Sequence, residues 1–163
     1  MLPAALTEPA HAIAERLTAR GETIAVAESA SGGLISAALL AVPGASAYYA
    51  GGVVIYTLVG ASATLSPDDP LPDDTRGASE PFATWLAAKA AAHLDAHWSI
   101  GETGAAGPAG NRYGDPAGHA WVAVRGPDGR TRTRNVLTGL ADRAQNMELF
   151  AAGALGLLLE ALS

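Results

Sequence analysis

The chain has 163 residues, no cysteine, and a formal net charge of −6, with nine arginines and a single lysine, Lys89. That length fits one domain with a core of its own, and the missing thiols exclude disulfides, thiolate metal sites and a cysteine nucleophile. There is no basic patch, no apolar run of membrane length and no basic segment leading into an apolar one, so the expectation is a soluble cytoplasmic protein that engages neither nucleic acid nor membrane.

The spacing predicts a first helix opened by Thr7, Glu8 and Pro9, with Leu6, Ala10, Ile13 and Leu17 as its apolar stripe and Gly21 as its stop. Thr23 to Ala27 is apolar and partly β-branched, as in a strand covered on both faces. Glu28-Ser29-Ala30-Ser31-Gly32-Gly33 then reads as a polar turn into a helix from Leu34, with Leu34, Ala38 and Val42 on one stripe. Read locally, Ser29 and Ser31 are cap hydroxyls. Read chemically, hydroxyls, a carboxylate and two glycines before a helix start make a corner able to hold a phosphate or an oxyanion.

A second strand is expected over 48–57, with Gly51 and Gly52 marking a bend or bulge. A short helix follows over 58–66, and 67–74 is a proline-broken acidic loop read as solvated, not as a metal site. Ser79-Glu80-Pro81 starts a helix with Phe82, Leu86, Ala90 and Leu94 on its buried stripe. His93 and His97 lack a third ligand and read as an exposed helix end. Trp98 to Thr103 is a third strand, entering a second glycine-rich corner over Gly104-Ala105-Ala106-Gly107-Pro108 and a polar loop over 111–116. Gly118 to Arg125 and Thr131 to Leu137 pair as a hairpin about the turn Gly126-Pro127-Asp128-Gly129. Asp142-Arg143 begins a last helix lined by Met147, Phe150, Ala154, Leu158 and Leu162.

This order predicts one α/β domain over 1–163: a three-layer α/β/α sandwich on a mixed, mainly parallel sheet of about five strands. If the first and third strands are parallel, both glycine corners open at the carboxyl edge of the sheet and face one cleft.

The motifs resemble the C-terminal domain of the competence/damage-inducible protein CinA. Glu28-Ser29-Ala30-Ser31-Gly32-Gly33 is similar to that family's Glu-Ser-Cys-Thr-Gly-Gly, and Pro43-Gly44-Ala45-Ser46 to its Pro-Gly-Ser-Ser. Gly52-Val53-Val54-Ile55-Tyr56, Gly77-Ala78-Ser79-Glu80-Pro81 and Thr103-Gly104-Ala105-Ala106-Gly107-Pro108 follow in the family's order, from about residue 10 to the end. The resemblance implies an α/β/α domain and, for several members, hydrolysis of the carboxamide of nicotinamide mononucleotide to nicotinate mononucleotide and ammonia, without a cofactor. One departure stands out: the family lysine five residues after the strand tyrosine is Ala61 here. The segment Asn111-Arg112-Tyr113-Gly114-Asp115 has no counterpart in the common amidase pattern, which suggests a divergent branch.

On this basis Ser29, Ser46 and Tyr56 are the candidate catalytic residues. Glu28, Ser31, Gly32, Gly33, Thr103, Gly104, Ala105, Gly107 and Arg112 are the candidate binding residues, Arg112 as a phosphate clamp. With lysine absent, the titratable candidates for a base are Glu28, Glu102, Asp115 and His119, although a strand histidine is more often packed than basic. Two readings stand. One is an amidase with a rearranged base acting on a phosphorylated nucleotide. The other is a nucleotide-binding or interaction domain on the same scaffold. Alanine-rich helices and an exposed second strand lead to an expectation of a homo-oligomer.

Overall fold

Strands this apolar need helices on both faces of their sheet, and the computed structural model, which describes residues 1–65, 68 and 71–163, supplies them. The elements run α1 (Ala4–Arg20), β1 (Ile24–Glu28), α2 (Leu34–Leu40), β2 (Tyr49–Val54), α3 (Leu58–Leu65), α4 (Glu80–Leu94), β3 (Trp98–Ala105), β4 (His119–Arg125), β5 (Thr131–Leu137) and α5 (Arg143–Ala161). The sheet order is β2-β1-β3-β4-β5. β1 pairs in parallel with β2 and β3, and β4 and β5 complete the sheet in antiparallel. This is the expected mixed α/β architecture.

The two faces have different cores. On one, Ile24, Val26, Ile100, Val122 and Val124 pack with α1, α2 and α5 through Ile13, Leu17, Ile35, Leu39, Leu155 and Leu158. On the other, Ala25, Ala27 and Ala123 meet α3 and α4, where Phe82, Leu86 and Ala83 lie. Small residues on that face let α4 come down onto the sheet backbone: Ser99 Oγ donates to Ala87 O at 2.6 Å. A methyl at Gly101 would stand 2.0 Å from Ala83 O and 2.6 Å from Ala87 N.

Several boundaries move. α1 begins at Ala4 with Pro3 as its cap, so Thr7, Glu8 and Pro9 lie inside it. The reason is Leu6, fully buried, which brings the preceding turn into the helix. α2 ends at Leu40; of the predicted stripe Ala38 and Val42 are buried and Leu34 packs against the core, and Ile35 and Leu39 widen it. The predicted bulge is present: Ile24 pairs with Tyr49 but Ala25 with Gly51, leaving Ala50 extra. β3 runs two residues further than expected, to Ala105. Asp142 and Ser79 cap α5 and α4, accepting from Gln145 N and Phe82 N. His93 and His97 are exposed, and His97 Nδ1 accepts from Thr23 N at 3.1 Å. Parts of the predicted short helix over 58–66 and acidic loop over 67–74, namely residues 66, 67, 69 and 70, lie outside the described residues.

The contact of α4 with β3 gives a test. Gly101→Ala forces the helix off the sheet and costs about 3 kcal/mol or more. Gly21→Ala places a methyl in open space at a left-handed helix end (φ 62) and costs about 1 kcal/mol. Urea unfolding of both variants checks the order, and equal losses would contradict it.

Candidate functional site

Because β1 and β3 are parallel and in register from Ile24↔Trp98 to Ala27↔Gly101, Glu28 and Glu102 emerge side by side at the carboxyl edge. Both are fully buried. Glu28 Oε1 accepts from Ser36 N at 3.0 Å and Ser36 Oγ at 2.6 Å; its Oε2 accepts from Ile35 N at 3.1 Å and Ser31 Oγ at 2.7 Å. The carboxylate thus caps the start of α2 from within, where unpaired amides and the helix dipole favour negative charge. Glu102 Oε2 accepts from Ser29 N at 3.0 Å and Ser31 N at 2.9 Å, and stands 2.8 Å from Ser31 Oγ. Burial, above all, pushes the Glu102 carboxyl up to about 7.

These bonds change the expected role of the first corner. Most of the donors around the corner, from Ser29, Ser31, Ile35 and Ser36, already face the protein's own carboxylates. Ser31 is sealed at 0% exposure between them, and Gly32 N donates to Ser29 O. Gly32 lies under α5, where an added methyl would meet Met147 Cε at 2.5 Å, and Gly33 sits beside Val54. Glu28 and Ser31 are therefore sealed inside the elbow, while Gly32 is exposed and Gly33 half-buried at its surface. Ser29 lines the cleft: half-buried, its amide is held by Glu102 and its hydroxyl has no partner among the described residues.

The cleft measures about 520 Å³ and is walled by Ser29, Tyr56, Phe82, Thr103, Gly104 and the loop Asn111-Arg112-Tyr113. The two corners do face the same edge, as expected from parallel strands. Gly104 and Ala105 belong to the β3–β4 ladder, paired with Ala120 and His119, because β3 is longer than predicted. Thr103 Oγ1 accepts from Ala78 N at 3.1 Å and His119 Nε2 lies 3.0 Å from Ala78 O. Together they clamp Ala78 in a left-handed conformation (φ 52) against the cleft wall. Since a carbonyl only accepts, Nε2 carries the histidine proton in this contact, and the buried ring packs against Ala78.

Ser46 is a correction. It is exposed in the short 3-10 turn Ala45–Ala47 before β2. The parallel pairing of β2 with β1 puts that turn at the amino edge of the sheet, away from Ser29. Tyr56 is at the cleft, 67% exposed, and its hydroxyl accepts from Arg143 at 2.8 Å. The same guanidinium donates to Gly107 O at 2.9 Å, tying the tyrosine to the second corner. Arg143 escaped the sequence reading as a site residue because its partners lie 87 and 36 positions away. Ala61 is fully buried among Ala25, Ala27, Ile55, Leu65 and Phe82, so the position of the family lysine is filled by core. Lys89, over the Trp85 ring at 5.8 Å, lies roughly 14 Å along α4 from Glu80.

The loop 111–115 is anchored, not loose. Arg76 binds Asp115 through both terminal nitrogens, at 2.5 and 3.2 Å, and Asn111 Nδ2 donates to Asp115 at 2.8 Å. The Arg76 hydrogen bond, ahead of all else, holds the Asp115 carboxyl below its ordinary value, which weakens it as a base. Arg76 and Arg112 stand 5.2 and 5.0 Å from the centre of the Tyr113 ring. Arg112 also donates to the Tyr113 hydroxyl at 2.9 Å, and that bond chiefly lowers the phenol below its usual range.

Two kinds of comparison point the same way. The model of the CinA C-terminal domain matches residues 6–162. A CinA-like protein of Anaeromyxobacter sp. (strain Fw109-5) is 42% identical over 140 residues, which are 86% of this chain and 34% of that protein. One from Prochlorococcus marinus (strain MIT 9313) is 40% identical over 120 residues, 74% of this chain and 28% of the relative. The chain thus spans about a third of the length of the curated relatives it matches. Among solved structures, the competence/damage inducible protein CihA from Agrobacterium tumefaciens superposes with a TM-score of 0.90 at 28% identity, covering 99% of this chain and 98% of that one. A CinA superfamily protein from Escherichia coli gives 0.88 at 29%, covering 99% and 94%.

The anchoring of the cleft loop has a pH signature. A carboxyl held below its ordinary value of 3.8 contributes fully above that value and loses its contribution as pH falls through the lowered one. Asp115→Asn should bring the acid behaviour to neutral pH: amide exchange at Tyr113 and Gly114 roughly tenfold faster, the size of one charged hydrogen bond of about 1.5 kcal/mol. Unchanged exchange would mean that Arg76 does not anchor the loop.

Proposed function

The chain belongs to the CinA C-terminal domain family, and from that premise we propose that it is an amidohydrolase that converts nicotinamide mononucleotide, or a related phosphorylated amide, to the acid and ammonia. The observation that carries the reading is Ser29: it is the cleft serine whose hydroxyl is unengaged, on a backbone elbow held rigid from beneath. In this mechanism Ser29 Oγ attacks the carboxamide carbon as its proton passes to the Tyr113 phenolate, which thereby becomes the phenol. The C–N bond breaks with a proton delivered to nitrogen, and water then hydrolyses the ester formed on Ser29. Tyr113, acidified by Arg112, takes the place of the lysine that the family pattern puts at Ala61. Tyr56 relays a proton and Arg112 receives the phosphate.

A binding-only reading has one observation in its favour, the apolar burial of Ala61. Loss of the base in a serine mechanism removes several powers of ten in rate, so a scaffold without lysine is able to persist as a nucleotide sensor.

Ammonia release from nicotinamide mononucleotide separates the two. The amidase reading expects turnover that falls about a thousandfold or more in Ser29→Ala and in Tyr113→Phe. Ser46→Ala is expected to be neutral, and Arg112→Ala to raise KM about tenfold and to lower kcat as well, since Tyr113 loses the bond that acidifies it. Calorimetric binding with no turnover in the unaltered protein would select the sensor reading, and neither heat nor turnover would defeat both.

A further inference from the structure

Proton counting at the elbow leads beyond the catalytic reading. Glu28 has four donors on its two oxygens: two amides and two hydroxyls. That set suits a carboxylate. Ser31 Oγ then lies 2.7 Å from Glu28 Oε2 and 2.8 Å from Glu102 Oε2, yet a hydroxyl has one proton. If it goes to Glu28, two bare oxygens face each other between Ser31 and Glu102. Glu102 Oε1 is in addition buried with no hydrogen-bond partner, where a negative charge would be least tolerated.

We propose that Glu28, Ser31 and Glu102 hold one proton beyond the serine's own, carried by Glu102, and that this proton fixes the elbow that presents Ser29 to the cleft. The chain runs from Glu102 Oε2–H to Ser31 Oγ and from Ser31 Oγ–H to Glu28 Oε2. Glu102 is a positioning residue: it touches the cleft only through the Ser29 and Ser31 amides. When its proton leaves, one hydroxyl serves two carboxylates in a dry site, and the elbow rearranges to separate them.

The Ser29 and Ser31 amides favour the charged form of Glu102, but burial outweighs them. Among the described residues Glu28, on β1, is the charged group whose field reaches Glu102, and it has the same sign. α2 contributes Ile35 and Ser36 to Glu28, β4 pairs Val122 with Glu102, and α5 covers the elbow with Met147 and Phe150. The Asn146 amide is engaged by Ala106 O and Leu140 O, and the Arg143 guanidinium by Gly107 O and Tyr56. The raised titration of Glu102, to about 7 from 4.5, agrees with the proton count. The sign follows: the folded state keeps a proton that the unfolded chain loses near 4.5, so stability falls as pH rises from there to about 7 and levels off above.

The test is a carbon-13 NMR titration of the full chain labelled at glutamate Cδ, with Glu102 assigned through its own backbone. Glu102 should titrate near neutrality, and the Ser29 and Ser31 amides should shift with the same midpoint. In Glu102→Gln both shifts should vanish. Relative to that variant, the unfolding constant of the unaltered protein should rise close to tenfold per pH unit across the window. An ionised Glu102 at pH 5 would overturn the shared proton. Titration without movement at Ser29 would overturn the positioning role, and the first of these measurements needs no variant to fold. None depends on turnover, so the outcome stands apart from that of the amidase reading.

Discussion

Two buried carboxylates set against one serine are the constraint on which the rest of this structure depends. They are neighbours because β1 and β3 run parallel, with Ala27 opposite Gly101, so that the next residue on each strand emerges at the same depth. Their six hydrogen-bond donors come from residues 29 to 36. The elbow and the first turn of α2 are thereby bound to the centre of the sheet through side chains, where the short helix alone would be marginal. Removing either carboxylate leaves amides and hydroxyls of the elbow buried without an acceptor, which is costlier than losing a surface contact.

The same arrangement decides what is left for a ligand. Amides at a helix start ordinarily attract an anion, but here the protein's own carboxylates take most of them. At the edge, the Ser29 hydroxyl has no partner among the described residues, and it shares the cleft with two phenol–guanidinium pairs, Tyr56 with Arg143 and Tyr113 with Arg112. The division of labour is physical. The carboxylates shape the backbone, and positive charge arrives from the 111–115 loop and the start of α5.

Much of this was legible in the residues themselves. Apolar strands without alternation told of a doubly covered sheet, and the hairpin over 118–137 and the caps Ser79 and Asp142 came from local chemistry. Two apolar strands, each followed by a glycine corner, placed the cleft at the carboxyl edge once β1 and β3 were parallel. What failed needed long-range information. Ser46 lies in a motif beside the elbow in sequence, but strand direction carries it to the far rim. Glu28 and Glu102 read as candidate bases, and only the register reveals that they share Ser31. Arg143 reads as a helix-start residue until the fold brings Tyr56 and Gly107 to it. Thr103 and His119 carried plausible chemistry in sequence and proved to hold Ala78 in place.

The central claim is that Ser29 and the arginine-bearing loop address opposite ends of one small anion. The most direct measurement is a crystal structure with nicotinamide mononucleotide bound. The account predicts the carboxamide carbon about 3–3.5 Å from Ser29 Oγ and the phosphate against Arg112. A nucleotide seated at the amino edge, or one in the cleft with its carboxamide turned away from Ser29, would contradict it.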